Sequence, residues 1–220
     1  MKKLNSFLII PAVFLAFSGE LFAQADGIKK EFGISAGSFT NFPANQNYLK
    51  ESMTAFYVAP YIRAGKHEFT AGILYPLADK GLYFSDNNIS PCAGFLAGYT
   101  FYLFNTEGVE NLYIHYAFQY LRFNGSYDKY DNATAETNHW TEKDMYINNV
   151  IGLGYHVFFD AKERFGFYYT LDYVISQAGY HLSTQGYTND SWATKYIWNN
   201  LSTHMGLSFK ITSIGKKVMK

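Results

Sequence analysis

Between Met145 and Asp160 the chain reads MYINNVIGLGYHVFFD, and taking every second residue separates it into two unlike sets. Met145, Ile147, Asn149, Ile151, Leu153, Tyr155, Val157 and Phe159 form one; Tyr146, Asn148, Val150, Gly152, Gly154, His156, Phe158 and Asp160 form the other. A period of two is that of a β-strand. Similar alternation runs approximately over Phe32 to Phe39, Thr54 to Ala64, His67 to Leu77, Cys92 to Phe104, Asn111 to Phe123, Met145 to Phe159, Phe165 to Gly179 and Tyr196 to Ile211. That makes about eight strands, most near or above the roughly 9 to 11 residues with which a tilted strand crosses a bilayer. Soluble strands are shorter, roughly 5 to 6 residues.

The connections follow a second pattern, independent of hydrophobicity. Gly65-Lys66, Asn105 to Glu110 and Asp160 to Arg164 are short, whereas Thr40 to Met53, Ala78 to Pro91, Asn124 to Asp144 and Tyr180 to Lys195 are long and polar. Short turns at one end and four long loops at the other describe an up-and-down meander.

One face of each strand is bulky and the other small or polar. Phe95, Ala97, Tyr99, Phe101 and Leu103 alternate with Gly94, Gly98, Thr100 and Tyr102; Phe167, Tyr169, Leu171, Tyr173 and Ile175 alternate with Tyr168, Thr170, Asp172, Val174 and Ser176. The interior of a barrel of about eight strands is only just wide enough for side chains to fill. Several large residues from every strand do not fit there, so the bulky face is expected outside. In water such a belt invites aggregation; in lipid it matches the solvent, and closure removes the unpaired edge. The expected fold is therefore all-β, a closed up-and-down antiparallel transmembrane barrel. A soluble, lipocalin-like barrel is the alternative, and it requires polar outer faces that these strands do not offer.

Composition and the N-terminus agree. Hydrophobic residues make up 48% of the 220, which excludes a disordered chain, and Lys+Arg 18 against Asp+Glu 18 leaves no positive excess to attract nucleic acid. Met1-Lys2-Lys3, the apolar run Leu4 to Phe17 and Ala23-Gln24-Ala25 read as a cleaved secretory signal, residues 1–25, with the barrel over 26–220. A membrane anchor is the other reading of that run, but it holds Pro11, is short for a span and ends in Gly19-Glu20. Cys92 stands alone, so no internal disulfide forms.

In these features the chain resembles the small eight-stranded outer-membrane barrels of the OmpA and OmpX kind from Gram-negative bacteria. The resemblance covers the whole mature chain and implies the outer membrane as location, with short periplasmic turns and long outer loops. Two departures stand out. Many such barrels finish on an aromatic residue, whereas this chain continues past Phe209 and Ile211 to Lys220; an assembly signal centred on Phe209 is the expectation. Pro60 interrupts a strand that pairs on both sides, and a local bulge is expected there.

Several residues could carry chemistry. Arg63 and Glu68 flank Gly65-Lys66, and a tight hairpin puts them opposite each other on the lumen face as an interior ion pair, with Lys210 and Asp160 near the same rim. These groups read either as a charged gate or as a polar plug that rigidifies a closed barrel; the plug suits so small a lumen. Arg63, Glu68, His115, Gln119, His156, Asp172, His204 and Lys210 are the expected lumen polar network. His204 with Ser202, Ser208 and Asp172 supplies the residue types of a hydrolytic triad, but they are common types on a polar face and no nucleophile elbow is present. The six histidines show no paired ligand spacing, and Gly152-x-Gly154 is strand alternation rather than a phosphate loop, so no metal or cofactor is expected.

The long loops are the remaining surface. Tyr127, Tyr130, His139 and Trp140, joined by Tyr83, Phe84 and Trp192, suit stacking and hydrogen bonding to a protein or glycan, although interfacial aromatics also rest on headgroups without other purpose. The expectation is a non-enzymatic barrel acting through its outer loops in adhesion, envelope integrity or a larger outer-membrane assembly. The alternatives are a conduit for small apolar solutes and a lipid-modifying barrel enzyme.

Overall fold

The computed structural model describes residues 30–42, 53–77, 89–104, 110–131, 133–160, 162–184 and 187–214. The expected signal segment, Tyr83, Phe84 and the tail after Ile214 lie outside these residues. Eight strands follow one another: β1 (Lys30–Phe42), β2 (Met53–Ala64), β3 (His67–Pro76), β4 (Ile89–Tyr102), β5 (Glu110–Asp131), β6 (Glu136–Phe158), β7 (Phe165–Thr184) and β8 (Tyr187–Ile214). Each pairs antiparallel with the next, and β8 returns to β1 to close the barrel.

Local chemistry sets the turns. Gly65 adopts a left-handed φ of 59°, which lets β2 reverse into β3 with Ala64 opposite His67 and Arg63 opposite Glu68. Between β6 and β7 the Asp160 carboxylate accepts the backbone N–H of Arg164 at 2.6 Å and of Phe165 at 3.3 Å, and the Arg164 Nε–H at 2.8 Å. Pro60 produces no bulge. The register of β2 against β3 is the same on either side of it, from Val58↔Ile73 to Tyr61↔Thr70, and only the pairs at Ala59 and Pro60 are missing. Proline lacks the donor, and Gly72 absorbs the disturbance by letting β3 press against Val58 and Ala59, where a Cβ would collide with both. A shift of register does occur in β4, between Cys92 and Phe95.

Strand length divides the barrel in two. β1 to β4 hold 10 to 14 residues each, β5 to β8 hold 20 to 28. Within Asn124 to Asp144 and Tyr180 to Lys195, expected as loops, β5 runs on to Asp131, β6 begins at Glu136, β7 runs on to Thr184 and β8 begins at Tyr187. Beyond Gly125, where β4 ends its pairing, β5 and β6 remain paired to Asp131↔Glu136. β7 and β8 remain paired to Thr184↔Tyr187. At roughly 3.4 Å per residue the β5–β6 hairpin continues about 20 Å along the strand past β4. A four-stranded arm thus rises from one side of the rim.

The two faces fall as expected. Ile34, Val58, Ile73, Phe95, Ile114, Leu153, Leu171 and Leu207, one from each strand, are exposed to between 42% and 64% on the outside. The interior does hold bulky groups, contrary to expectation: Tyr57, Tyr61, Tyr102, Tyr113 and Tyr168 are buried with Leu74, Leu96 and Leu121. Glycine makes the room. Tyr113, Gly154 and Thr170 are consecutive partners across β5, β6 and β7, and the Tyr113 side chain lies over Gly154 to reach the Thr170 hydroxyl at 2.7 Å. Tyr61 lies over Gly33 and Tyr168 over Gly206 in the same way. The lumen is thereby a packed core.

Candidate functional site

At the turn end the lumen is closed by charge. Lys210 Nζ donates to Glu31 at 3.1 Å with both side chains buried, and Glu163 stands 3.9 Å away. Asp160, expected near this group, is held by Arg164 in the turn. Arg63 and Glu68 are opposite one another in register, as expected, yet their side chains do not form an ion pair. The Arg63 guanidinium stacks 3.9 Å from the Tyr102 ring centre, and Glu68 accepts the Tyr102 hydroxyl at 2.9 Å. Tyr102 therefore links the two charged residues, accepting the cation on its face and donating a hydrogen bond to the carboxylate.

The chain of contacts continues inward. Because the Tyr102 O–H is directed at Glu68, its oxygen is left to accept from His156 Nδ1 at 3.2 Å, and His156 Nε2 then accepts from Ser208 Oγ at 2.8 Å. The triad residue types His204, Ser202, Ser208 and Asp172, set aside in the sequence as common types on a polar face, are not brought together. Ser202 donates to the Thr40 carbonyl at 2.9 Å, Ser208 belongs to His156, and the buried Asp172 carboxylate has no hydrogen bond to either histidine. Asp172 lies over Gly152, between β7 and β5. Ser208–His156–Tyr102–Glu68 has the atom types of an activated hydroxyl, and sequence reading did not single out Tyr102 or Ser208 as part of it. Tyr102 was visible on the lumen face of β4; nothing in the sequence marked its bond to a residue of β3.

These groups border a cavity of about 40 Å³ in mid-barrel, lined also by Tyr57, His115, Thr170 and His204. His115 exchanges a hydrogen bond with Thr100 at 3.2 Å and packs 5.4 Å from the His204 ring. The cavity admits a few waters; small-molecule pockets run to roughly 300–1,000 Å³. Above it, Asn148 donates to Gln119 at 3.3 Å and accepts from Ser176 at 2.8 Å. Of the expected network, Gln119 belongs to this upper group, Glu68, His115, His156 and His204 line the cavity, Arg63 and Lys210 are at the turn end, and Asp172 lies over Gly152. No cluster of three metal-ligating side chains occurs among the described residues.

The arm carries the other candidates. Tyr127 and Trp140, opposite each other in β5 and β6, stack with centroids 6.3 Å apart and planes 6° from parallel. Trp140 meets Tyr187 of β8 edge-on at 5.6 Å. Thr184 ties β7 to this row by donating to the His139 carbonyl at 2.6 Å. By strand alternation Trp140 shares the face of the buried Glu142, so the row looks toward the barrel mouth; His139, bonded to Asp128 at 2.7 Å, and the exposed Tyr130 are on the opposite face. The expected aromatic patch is thus split between two faces. Trp192 is in β8 opposite Gly179.

No family model matches the chain, and no curated protein matches it. Among solved structures the chain is similar to the crystal structure of the outer membrane protease OmpT from Escherichia coli, with 10% identity over 86% of this chain and 98% of that chain. The TM-score is 0.30, and a likeness at that level carries no argument.

Proposed function

We propose that the chain is an outer-membrane β-barrel of a Gram-negative bacterium that acts through the arm built by β5 to β8, in adhesion, envelope integrity or a larger outer-membrane assembly, without catalysis of its own. The outward belt supports the location, because every strand presents large apolar residues where only lipid is a matching solvent. The observation that carries the functional reading is the arm itself. Polar strands that could have ended as loops are held in register to Asp131↔Glu136 and Thr184↔Tyr187, with an ordered aromatic row on one face. Ordered protruding sheets present a fixed surface to a protein or glycan partner. A conduit needs a continuous lumen, and a cavity of about 40 Å³ among buried tyrosines does not supply one.

One observation favours a second reading. The Ser208 to His156 contact is what a lipid-modifying enzyme would use, but the space beside it is too small for an acyl chain.

The test replaces Ser126 to Thr141 with an Asn-Gly turn between Gly125 and Glu142, which face each other in register. A variant that still folds should lose surface-binding phenotypes and co-purifying partners. Retention of all of them, with loss instead on Ser208→Ala, would move the function into the lumen.

A further inference from the structure

The outward face immediately above the apolar belt differs in charge from the rest of the arm. On β5 the outward series Ile114, Tyr116, Phe118 and Tyr120 ends at Arg122, and on β6 the series Ile151, Asn149, Ile147 and Met145 ends at Lys143. Tyr120 is opposite Ile147, Arg122 opposite Met145, and Asn124 opposite Lys143. Arg122 and Lys143 are therefore diagonal neighbours on one face, about 7–8 Å apart at the backbone, a spacing that two long side chains close on a common ligand.

Their surroundings leave both cations available. Arg122 uses Nε on Asn124 Oδ1 at 3.3 Å, and Asn124 is itself anchored by donating to Cys92 Sγ at 3.1 Å, so the guanidinium is positioned with its remaining N–H groups uncommitted to an acid. Lys143 is exposed. The carboxylates on this face are taken by histidines, Asp190 by His181 and Asp128 by His139. Asp144 and Glu142 are on the opposite face and buried. Among the described residues no ion pair joins Arg122 or Lys143 to an acid.

We propose that Arg122 and Lys143 form a binding patch for the phosphate of an anionic lipid headgroup in the outer leaflet. A guanidinium beside an ammonium matches a phosphate's several acceptor oxygens and its charge. The position, one alternation step beyond the belt, is the headgroup level. The inference rests on the membrane reading of the belt.

The experiment reconstitutes the full barrel in phosphatidylcholine vesicles and measures, by spin-label resonance, the association of spin-labelled phosphatidic acid relative to spin-labelled phosphatidylcholine. Each basic residue near a charged lipid surface is worth about a fivefold preference. Arg122→Gln and Lys143→Gln should each lower the preference for phosphatidic acid by about fivefold and the double variant by about twentyfold, while Lys129→Gln, on the exposed tip of β5, leaves it unchanged. An unchanged preference in the double variant, or an equal loss in Lys129→Gln, overturns the patch. Failure of the wild type to insert into vesicles of either composition is a different result: it overturns the membrane reading, and the patch with it.

Discussion

Replacing Gly154 with alanine tests whether the lumen is packed by tyrosine laid over glycine. A Cβ at this position would overlap the Tyr113 ring, which crosses Gly154 to hold the Thr170 hydroxyl at 2.7 Å. Tyr113 is buried and hemmed in by Tyr102, whose ring centre is 5.6 Å away, so it cannot swing aside without strain. Overpacking of this kind costs about 1–3 kcal/mol, and the hydrogen bond to Thr170 adds about 1 kcal/mol when lost. Against this, alanine in a strand recovers about 0.5–1 kcal/mol that glycine forfeits in chain entropy. The net expectation is a loss of about 1–3 kcal/mol, measured by denaturant unfolding of the lipid-folded barrel. In a Tyr113→Ala background the clash and the hydrogen bond are both gone, and the same change should stabilise by about 0.5–1 kcal/mol. The reversal of sign is the diagnostic. If Gly154→Ala is neutral or stabilising in the wild type, the tyrosine is not seated on the glycine and the packed-lumen description fails.

Other consequences follow from the same geometry. Lys210→Met should lower stability more than Glu31→Gln, because it removes the ammonium from two carboxylates, Glu31 at 3.1 Å and Glu163 at 3.9 Å, whereas Glu31→Gln leaves Glu163 beside it; equal losses would contradict the asymmetry. Planar-bilayer recordings of the wild type should show little steady conductance, and removal of Tyr57, Tyr113 and Tyr168 together should raise it; large stable channels before any substitution would contradict closure. In the β6–β7 turn, the hydrogen bond from the Arg164 side chain holds the Asp160 carboxyl below its usual 3.8. A depressed value means the turn contributes stability above about pH 4 that is lost as pH falls through the lower, folded value. Asp160→Asn should therefore lower stability at neutral pH and converge with the wild type in strong acid; a constant difference across the range would remove Asp160 as the cause.

The faces of the strands were legible in the sequence because the outside and the narrow lumen of a closed barrel impose opposite demands on alternate residues, and Leu153 and Gly152 could be assigned from that alone. The arm was not legible for the same physical reason. Above the belt both faces of β5 and β6 are polar at their edges, so Asn124 to Asp144 carries no alternation and its Asn, Asp and Thr content imitates a loop. The lumen was read with the right parity and the wrong filling. An argument from average volume excludes six buried tyrosines, but volume is shared pair by pair, and Tyr113 over Gly154 needs no more room than two medium side chains. Register across the Gly65 turn was local and therefore correct for Arg63 and Glu68. Their true partner, Tyr102, arrives from β4, and no local pattern announces it.

The most direct test of the membrane assignment places a single fluorescent label, in a Cys92→Ser background, at cysteines introduced in turn for Val58, Ile73, Leu153, Leu171 and Leu207, all exposed on the outside of the barrel. The reconstituted protein is then titrated with a brominated lipid and, separately, with aqueous iodide. Strong quenching by the brominated lipid and protection from iodide at every site is the result expected of a belt in the bilayer. Quenching by iodide with no response to the brominated lipid would place the belt in water and contradict it.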